Sequence, residues 1–157
     1  MITLDTSVIL DSLLKRLGER FYKANKILSL TENAEIFSPK VLIVELTAIL
    51  ARRKDRILVK NLVEGISGEL NLVSENEIFE IAREVSLSTG CRAIDAYFIA
   101  TAKLTNSILI TNDRIMAENA KKYGIEAYYL IDNSIKRLRE FPGLKAYKIE
   151  HYSNFSL

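Results

Sequence analysis

Four carboxylates stand out by their setting. Asp5 and Asp113 each follow a short apolar run, "ITL" and "SILIT", that reads as a strand, so both occupy strand exits. Glu45 and Asp95 lie inside longer apolar segments, "VLIVELTAIL" (41–50) and "AIDAYFIATAKL" (93–104). Those segments read as helices that are greasy on almost every side and therefore buried. An unpaired carboxylate in such a place is costly, so it becomes neutral, pairs with a base or binds a metal. Taken singly, each acid has an ordinary explanation. Asp is common in caps and turns. Glu45 would be satisfied by an ion pair with Arg52 or Arg92, or by exposure on one narrow face, and Asp95 lies in a first helical turn, where the dipole favours an acid.

Together they carry more. If both helices pack beside the two strand ends, the four acids meet in one crevice. Like charges about 4 Å apart repel by roughly 4 kcal/mol at an effective dielectric near 20, so the cluster needs a neutralising cation. The chain holds one histidine, His151, and one cysteine, Cys91. A Cys/His zinc site and a disulfide within the chain are thereby excluded. An ion held by oxygen alone points to magnesium or manganese. Such a centre suits phosphodiester hydrolysis, because it activates a water and stabilises the leaving oxygen. Thr6, Ser7, Thr111 and Asn112 stand beside the acids and would hold waters or the carboxylates themselves, unless they serve only as turn and cap residues.

The positioning elements follow from the pattern. Strands are expected at Ile2–Leu4, Glu35–Phe37, Leu70–Val73, Ser107–Thr111 and Glu126–Leu130. Between them, helices are expected from Val8 to Leu17, from a Ser38-Pro39 start through the 41–50 run, and from Leu58 to Ile66. Further helices follow a Ser74/Glu77 capping box, over 93–104, and from Arg114 to Tyr123 before Gly124. A last short helix is expected from Asp132 to Arg139, with a weakly patterned tail after Pro142. Strands alternating with helices imply βαβ units and a parallel sheet covered on both faces. In such sheets, sites form beyond the carboxyl ends of the strands.

The 157 residues are 48% hydrophobic and 27% charged, which marks one folded domain rather than a disordered chain. A net charge of +2 neither announces nor opposes a nucleic-acid partner. No run reaches the ~20 apolar residues needed to span a bilayer, and "MITLDTSVIL" lacks the basic start of a signal peptide. A cytoplasmic location without membrane association is the expectation.

Four blocks, "LDTSVI", "VELTAIL", "RAIDAYFIATA" and "ILITND", resemble in order and spacing the signature blocks of PIN domains. The likeness is to the small single-domain kind typified by VapC toxins, and it covers residues 1–131, leaving 132–157 as a tail of unassigned role. The resemblance implies an α/β/α three-layer sandwich with a central parallel sheet and a magnesium- or manganese-dependent ribonuclease. It places the catalytic and metal-binding acids at Asp5, Glu45, Asp95 and Asp113, with Thr6, Ser7, Thr111 and Asn112 beside them. It also implies an RNA substrate, a homodimer and an antitoxin protein as partner.

Candidate RNA contacts are Arg52, Arg53, Lys54, Arg92 and Arg114, with Arg56, Lys121 and Lys122 more loosely placed. The "RRKDR" run reads equally well as a solvated helix face. Three other readings stay open: a housekeeping RNA-processing nuclease, an Asp-nucleophile phosphatase, and a non-catalytic module whose acidic crevice holds a partner's arginine. The phosphatase reading is weakened because no second acid stands two residues after Asp5.

Overall fold

The computed structural model describes residues 1–31 and 33–132. Five short strands, β1 (Ile2–Leu4), β2 (Ile36–Pro39), β3 (Asn71–Val73), β4 (Ile108–Thr111) and β5 (Ala127–Tyr129), form one sheet in the order β3-β2-β1-β4-β5. Every pairing is parallel. Seven helices connect and cover them: α1 (Thr6–Leu13), α2 (Glu19–Leu30), α3 (Val41–Ala51), α4 (Arg56–Gly68), α5 (Glu75–Thr89), α6 (Ala93–Leu104) and α7 (Arg114–Lys122). The chain winds outward from β1 through β2 to β3, then returns to place β4 on the other side of β1. Strand order therefore reverses between β1 and β4, which opens a crevice at their carboxyl ends.

The sheet is buried on both faces because successive side chains point to opposite sides. On one face Ile2, Leu4 and Ile110 pack with Val8 of α1 and with Ala24, Ile27 and Leu30 of α2. On the other, Leu109 joins Phe98 and Ile99 of α6 and a larger core drawn from α3, α4, α5 and α7. The three-layer α/β/α arrangement expected from the sequence is present. No helix among the described residues is long and apolar enough to cross a membrane.

Several local expectations need correction. The helix expected to run to Leu17 ends at Leu13. Leu14 leaves helical geometry (φ −107°, ψ 79°), and a 3-10 turn at Lys15–Leu17 leads into α2. That turn lets α2 fold back on α1. Helix α2 itself was not anticipated: it starts at Gly18 with no side-chain cap, and buries Ala24, Ile27 and Leu30.

Ser38 and Pro39 do not start α3. They end β2, beyond the last β1–β2 partner pair, Thr3 with Phe37, where the missing Pro N–H costs no ladder bond to β1. The Glu75 carboxylate serves the start of α3 instead, accepting from the Val41 N–H at 2.6 Å. Nor is α3 enclosed all round. Leu42, Leu46 and Leu50 form its buried stripe, whereas Val44 is 66% exposed. In the "RRKDR" run, Asp55 caps α4, accepting from the Ile57 and Leu58 N–H groups at 2.9 and 3.1 Å. The helix expected from Asp132 and the tail after Pro142 lie outside the described residues, Asp132 excepted.

Candidate active site

Parallel pairing brings Leu4 level with Ile110, so the residues leaving β1 and β4 emerge side by side. Asp5 and the Thr111-Asn112-Asp113 segment are neighbours for that reason. Helix α3 approaches α1, and α6 crosses beneath β1, β2 and β4, which delivers Glu45 and Asp95 to the same place. Asp5, Glu45, Asp95 and Asp113 all line one open cleft of ≈ 360 Å³, together with Thr6, Ser7 and Arg92.

Asp5 is 4% exposed. The Thr111 hydroxyl donates to its Oδ2 at 2.7 Å, and the Ser7 hydroxyl donates to the same oxygen. Burial nonetheless dominates. It pushes the Asp5 carboxyl from 3.8 up to about 6, against the lowering by those two hydroxyls and with the Glu45 charge adding to the rise. Glu45 is half-buried, and its Oε2 accepts from the Thr6 hydroxyl at 2.6 Å. It makes no ion pair with Arg52 or Arg92, but it is partly exposed on α3, so of the two ordinary explanations the ion pair fails and the exposed face stands.

Arg92 is engaged elsewhere. Its Nε donates to Asp95 Oδ2 at 3.0 Å, and its Nη2 donates both to Asp95 Oδ1 at 3.0 Å and to Asp113 Oδ2 at 2.6 Å. Asp95 is 2% exposed, and its carboxyl is raised by burial against the lowering effect of that guanidinium. The bidentate bond to Asp95, reinforced by Asp113, raises the affinity of Arg92 for its proton in turn. Asp113 has a divided role. Its Oδ1 caps α7 by accepting from the Ile115 and Met116 N–H groups, at 2.8 and 3.1 Å, while Oδ2 meets Arg92. The capping explanation and the cleft assignment are therefore both true of this residue.

The hydroxyl and amide neighbours tie the two strand exits together. The Asp113 N–H donates to Thr111 Oγ1 at 2.8 Å, and the Asn112 N–H donates to Ser7 Oγ at 2.9 Å. The Asn112 side chain turns away from the cleft acids and donates through Nδ2 to Asp11, whose Oδ2 also accepts from Arg20 Nε at 2.9 Å. Asp11 is buried and was not singled out from the sequence. The available signal was the one that drew attention to Glu45 and Asp95, an acid within an apolar helical run, here "SVILDSLL".

The basic candidates divide. Arg92 is in the cleft. Arg53 and Lys54 line an adjoining groove of ≈ 310 Å³ with Arg16, which the sequence reading passed over, and this groove shares Leu10 and Ile49 with the cleft. Arg52 is exposed at the end of α3 and lines neither. Arg114 is exposed and lies 3.7 Å from Glu118 on its own helix. Arg56 begins α4, and Lys121 and Lys122 sit at the end of α7 remote from Asp113.

Chemically, the cleft presents hard oxygen donors in two halves. Asp5 and Glu45 are held by neutral hydroxyls, whereas Asp95 and Asp113 share a guanidinium. Among the described residues, no three His, Cys, Asp or Glu side chains are gathered to hold one ion as they stand. The donor chemistry still fits a hard divalent cation. The arginine drawn between Asp95 and Asp113, and the Glu45 charge that adds to the burial of Asp5, both mark a cleft rich in negative charge.

The sequence profile of the PIN domain matches residues 2–122. No curated protein sequence matches. Among solved structures, a chain of FitAB bound to an IR36 DNA fragment aligns with a TM-score of 0.64 at 21% identity, covering 82% of this chain and 94% of that one. A chain of VapBC2 from Rickettsia felis, bound to a DNA fragment from its promoter, aligns with a TM-score of 0.59 at 16% identity over 82% and 98%. A toxin–antitoxin complex from Klebsiella pneumoniae aligns with a TM-score of 0.57 at 18% identity over 72% and 87%.

Proposed function

The chain belongs to the PIN domain family, and from that footing we propose that it is a magnesium- or manganese-dependent endoribonuclease, the toxin of a VapBC-type toxin–antitoxin pair. One observation carries the reading: carboxylates separated by 18 to 108 positions along the chain line a single cleft at the point where strand order reverses. Asp5, Glu45, Asp95 and Asp113 are the residues that would hold the cation. A bound divalent ion would supply an acidified water and a counter-charge for the leaving oxygen.

The protein's own groups do the positioning. The Ser7 and Thr111 hydroxyls fix the Asp5 carboxylate, and Thr6 fixes Glu45. Asn112 locks the β4 exit onto α1 through Ser7, so the two halves of the cleft keep their spacing. Among the described residues, Arg92 is the cation paired with the cleft acids, and it offers a contact for a phosphate. The groove bearing Arg16, Arg53 and Lys54 continues from the cleft and suits a phosphate backbone running away from the cleaved bond. The likeness to a toxin–antitoxin complex and to VapBC2 supports an antitoxin partner. A homodimer follows from the family resemblance.

The test is cleavage of single-stranded and structured RNA with magnesium, with manganese or with EDTA, using the wild type beside Asp5→Asn and Asp95→Asn. Cleavage should require the metal and fall by about 100-fold or more in each variant, the scale of losing a group that stabilises transition-state charge. Circular dichroism should show both variants folded. Equal cleavage by all three proteins, or cleavage that survives EDTA, overturns the assignment.

A further inference from the structure

We propose that Arg92 is a built-in counter-ion that trades places with the divalent cation. Without the cation its guanidinium neutralises Asp95 and Asp113. When the cation takes those carboxylates, the released side chain turns to the phosphate of the nucleic acid. This rests on the metal-dependent nuclease reading above and joins the ion pairs of Arg92 to its RNA contact as two states of one residue.

The asymmetry of the cleft is the reason. The acids Asp5 and Glu45 are held by the hydroxyls of Ser7, Thr111 and Thr6, which orient a carboxylate without cancelling its charge. Asp95 and Asp113 are held by a full positive charge at 2.6–3.0 Å. Among the described residues, Arg92 alone donates hydrogen bonds to the Asp95 carboxylate, which is 2% exposed. A buried carboxylate left bare would cost several kcal/mol, so some cation must stay with it. A divalent cation held by these acids would meet the same Asp95 and Asp113 carboxylates whose charge the guanidinium now neutralises. The two cations would therefore compete for one pair of negative charges.

Release of Arg92 is feasible because the anchor and the charge are separable. Its backbone stands at the N-cap of α6, fixed by the helix, while its side chain is 70% exposed and loses little packing by swinging out. Its planar fork pairs with a phosphate as readily as with a carboxylate. The exchange therefore converts a resting ion pair into a substrate contact at the same mouth.

Manganese binding to the full chain, measured by titration calorimetry at pH 7, reads the competition directly. Arg92→Gln should bind manganese more tightly than wild type by at least about tenfold, a usual size for coupled equilibria, while its KM for RNA rises. Arg92→Lys should fall between them, since a lysine keeps the charge and loses the fork. Equal or weaker manganese binding by Arg92→Gln overturns the exchange. A second readout needs no variant. In wild type, the Arg92 Nε–H resonance should be sharp without metal and should shift or broaden as magnesium saturates the protein. An unchanged resonance at saturation also overturns it. A wild type that binds manganese and cleaves RNA while Arg92→Gln gains no affinity sinks the exchange alone. A wild type that does neither removes the nuclease reading as well.

Discussion

Asp5 shows how a single buried group couples stability to pH. Its carboxyl titrates near 3.8 when the chain is unfolded and near 6 in the cleft. Between those values the folded protein binds more protons than the unfolded one, so stability falls as pH rises. The rise corresponds to about 3 kcal/mol, present below pH 4 and lost by pH 7. Urea unfolding of the protein in EDTA at pH 4.5 and pH 7 should reveal this loss, and Asp5→Asn should lack most of it. A slope that persists in the variant would assign the effect to another acid. The residue types were readable before the structure, because an acid inside an apolar run is conspicuous on any reading. What each acid touches was not. Glu45 found a threonine rather than an arginine, and Asp11, passed over, ties α2 to the β4 exit through Arg20 and Asn112.

At the scale of elements, α3 separates composition from burial. Its run of apolar residues implies a helix enclosed on all sides, yet only Leu42, Leu46 and Leu50 are buried, with Ile43 packed in part against the core. Periodicity was hidden because the outward positions are apolar as well. Leu46→Ala should therefore cost 2–5 kcal/mol, of the order seen for fully buried leucines. Val44→Ala, two positions earlier, should stay within about 0.5 kcal/mol. Denaturant midpoints of the two variants check this, and similar losses would show that the outer face is covered in solution. The capping box at Ser74 and Glu77 and the ends of α5 at Gly90 and α7 near Gly124 were legible, because these are local signals. Helix α2 escaped, since it starts at Gly18 without a side-chain cap and so lacks the local start signal that marks α5.

Across the whole molecule, net charge hides local charge. The chain carries +2 overall, yet acids crowd one cleft while Arg16, Arg53 and Lys54 border the groove beside it. If RNA lies along that groove, affinity should fall linearly with salt on logarithmic axes. Each neutralised contact removes about 0.7 from the slope for a single strand. Arg16→Gln with Lys54→Gln should flatten it by roughly 1.4, read by fluorescence anisotropy with a cleavage-dead Asp5→Asn background. An unaltered slope would place the RNA elsewhere.

The order of the strands and of every helix but α2, the acids that interrupt apolar runs and the exclusion of a Cys/His zinc site and of an internal disulfide can be read from residue types and their spacing. Those properties are local, set by periodicity, capping and composition within a dozen residues. The tertiary structure alone decided that Asp5 and Asp113 stand together, because that depends on β4 pairing with β1 rather than with β3. It alone decided that Arg92, a local partner of Asp95, also reaches Asp113, and that Arg16 borders the site. Such contacts join residues 21 to 108 positions apart through the register of a sheet and the packing of helices upon it. No local pattern encodes a distance in space.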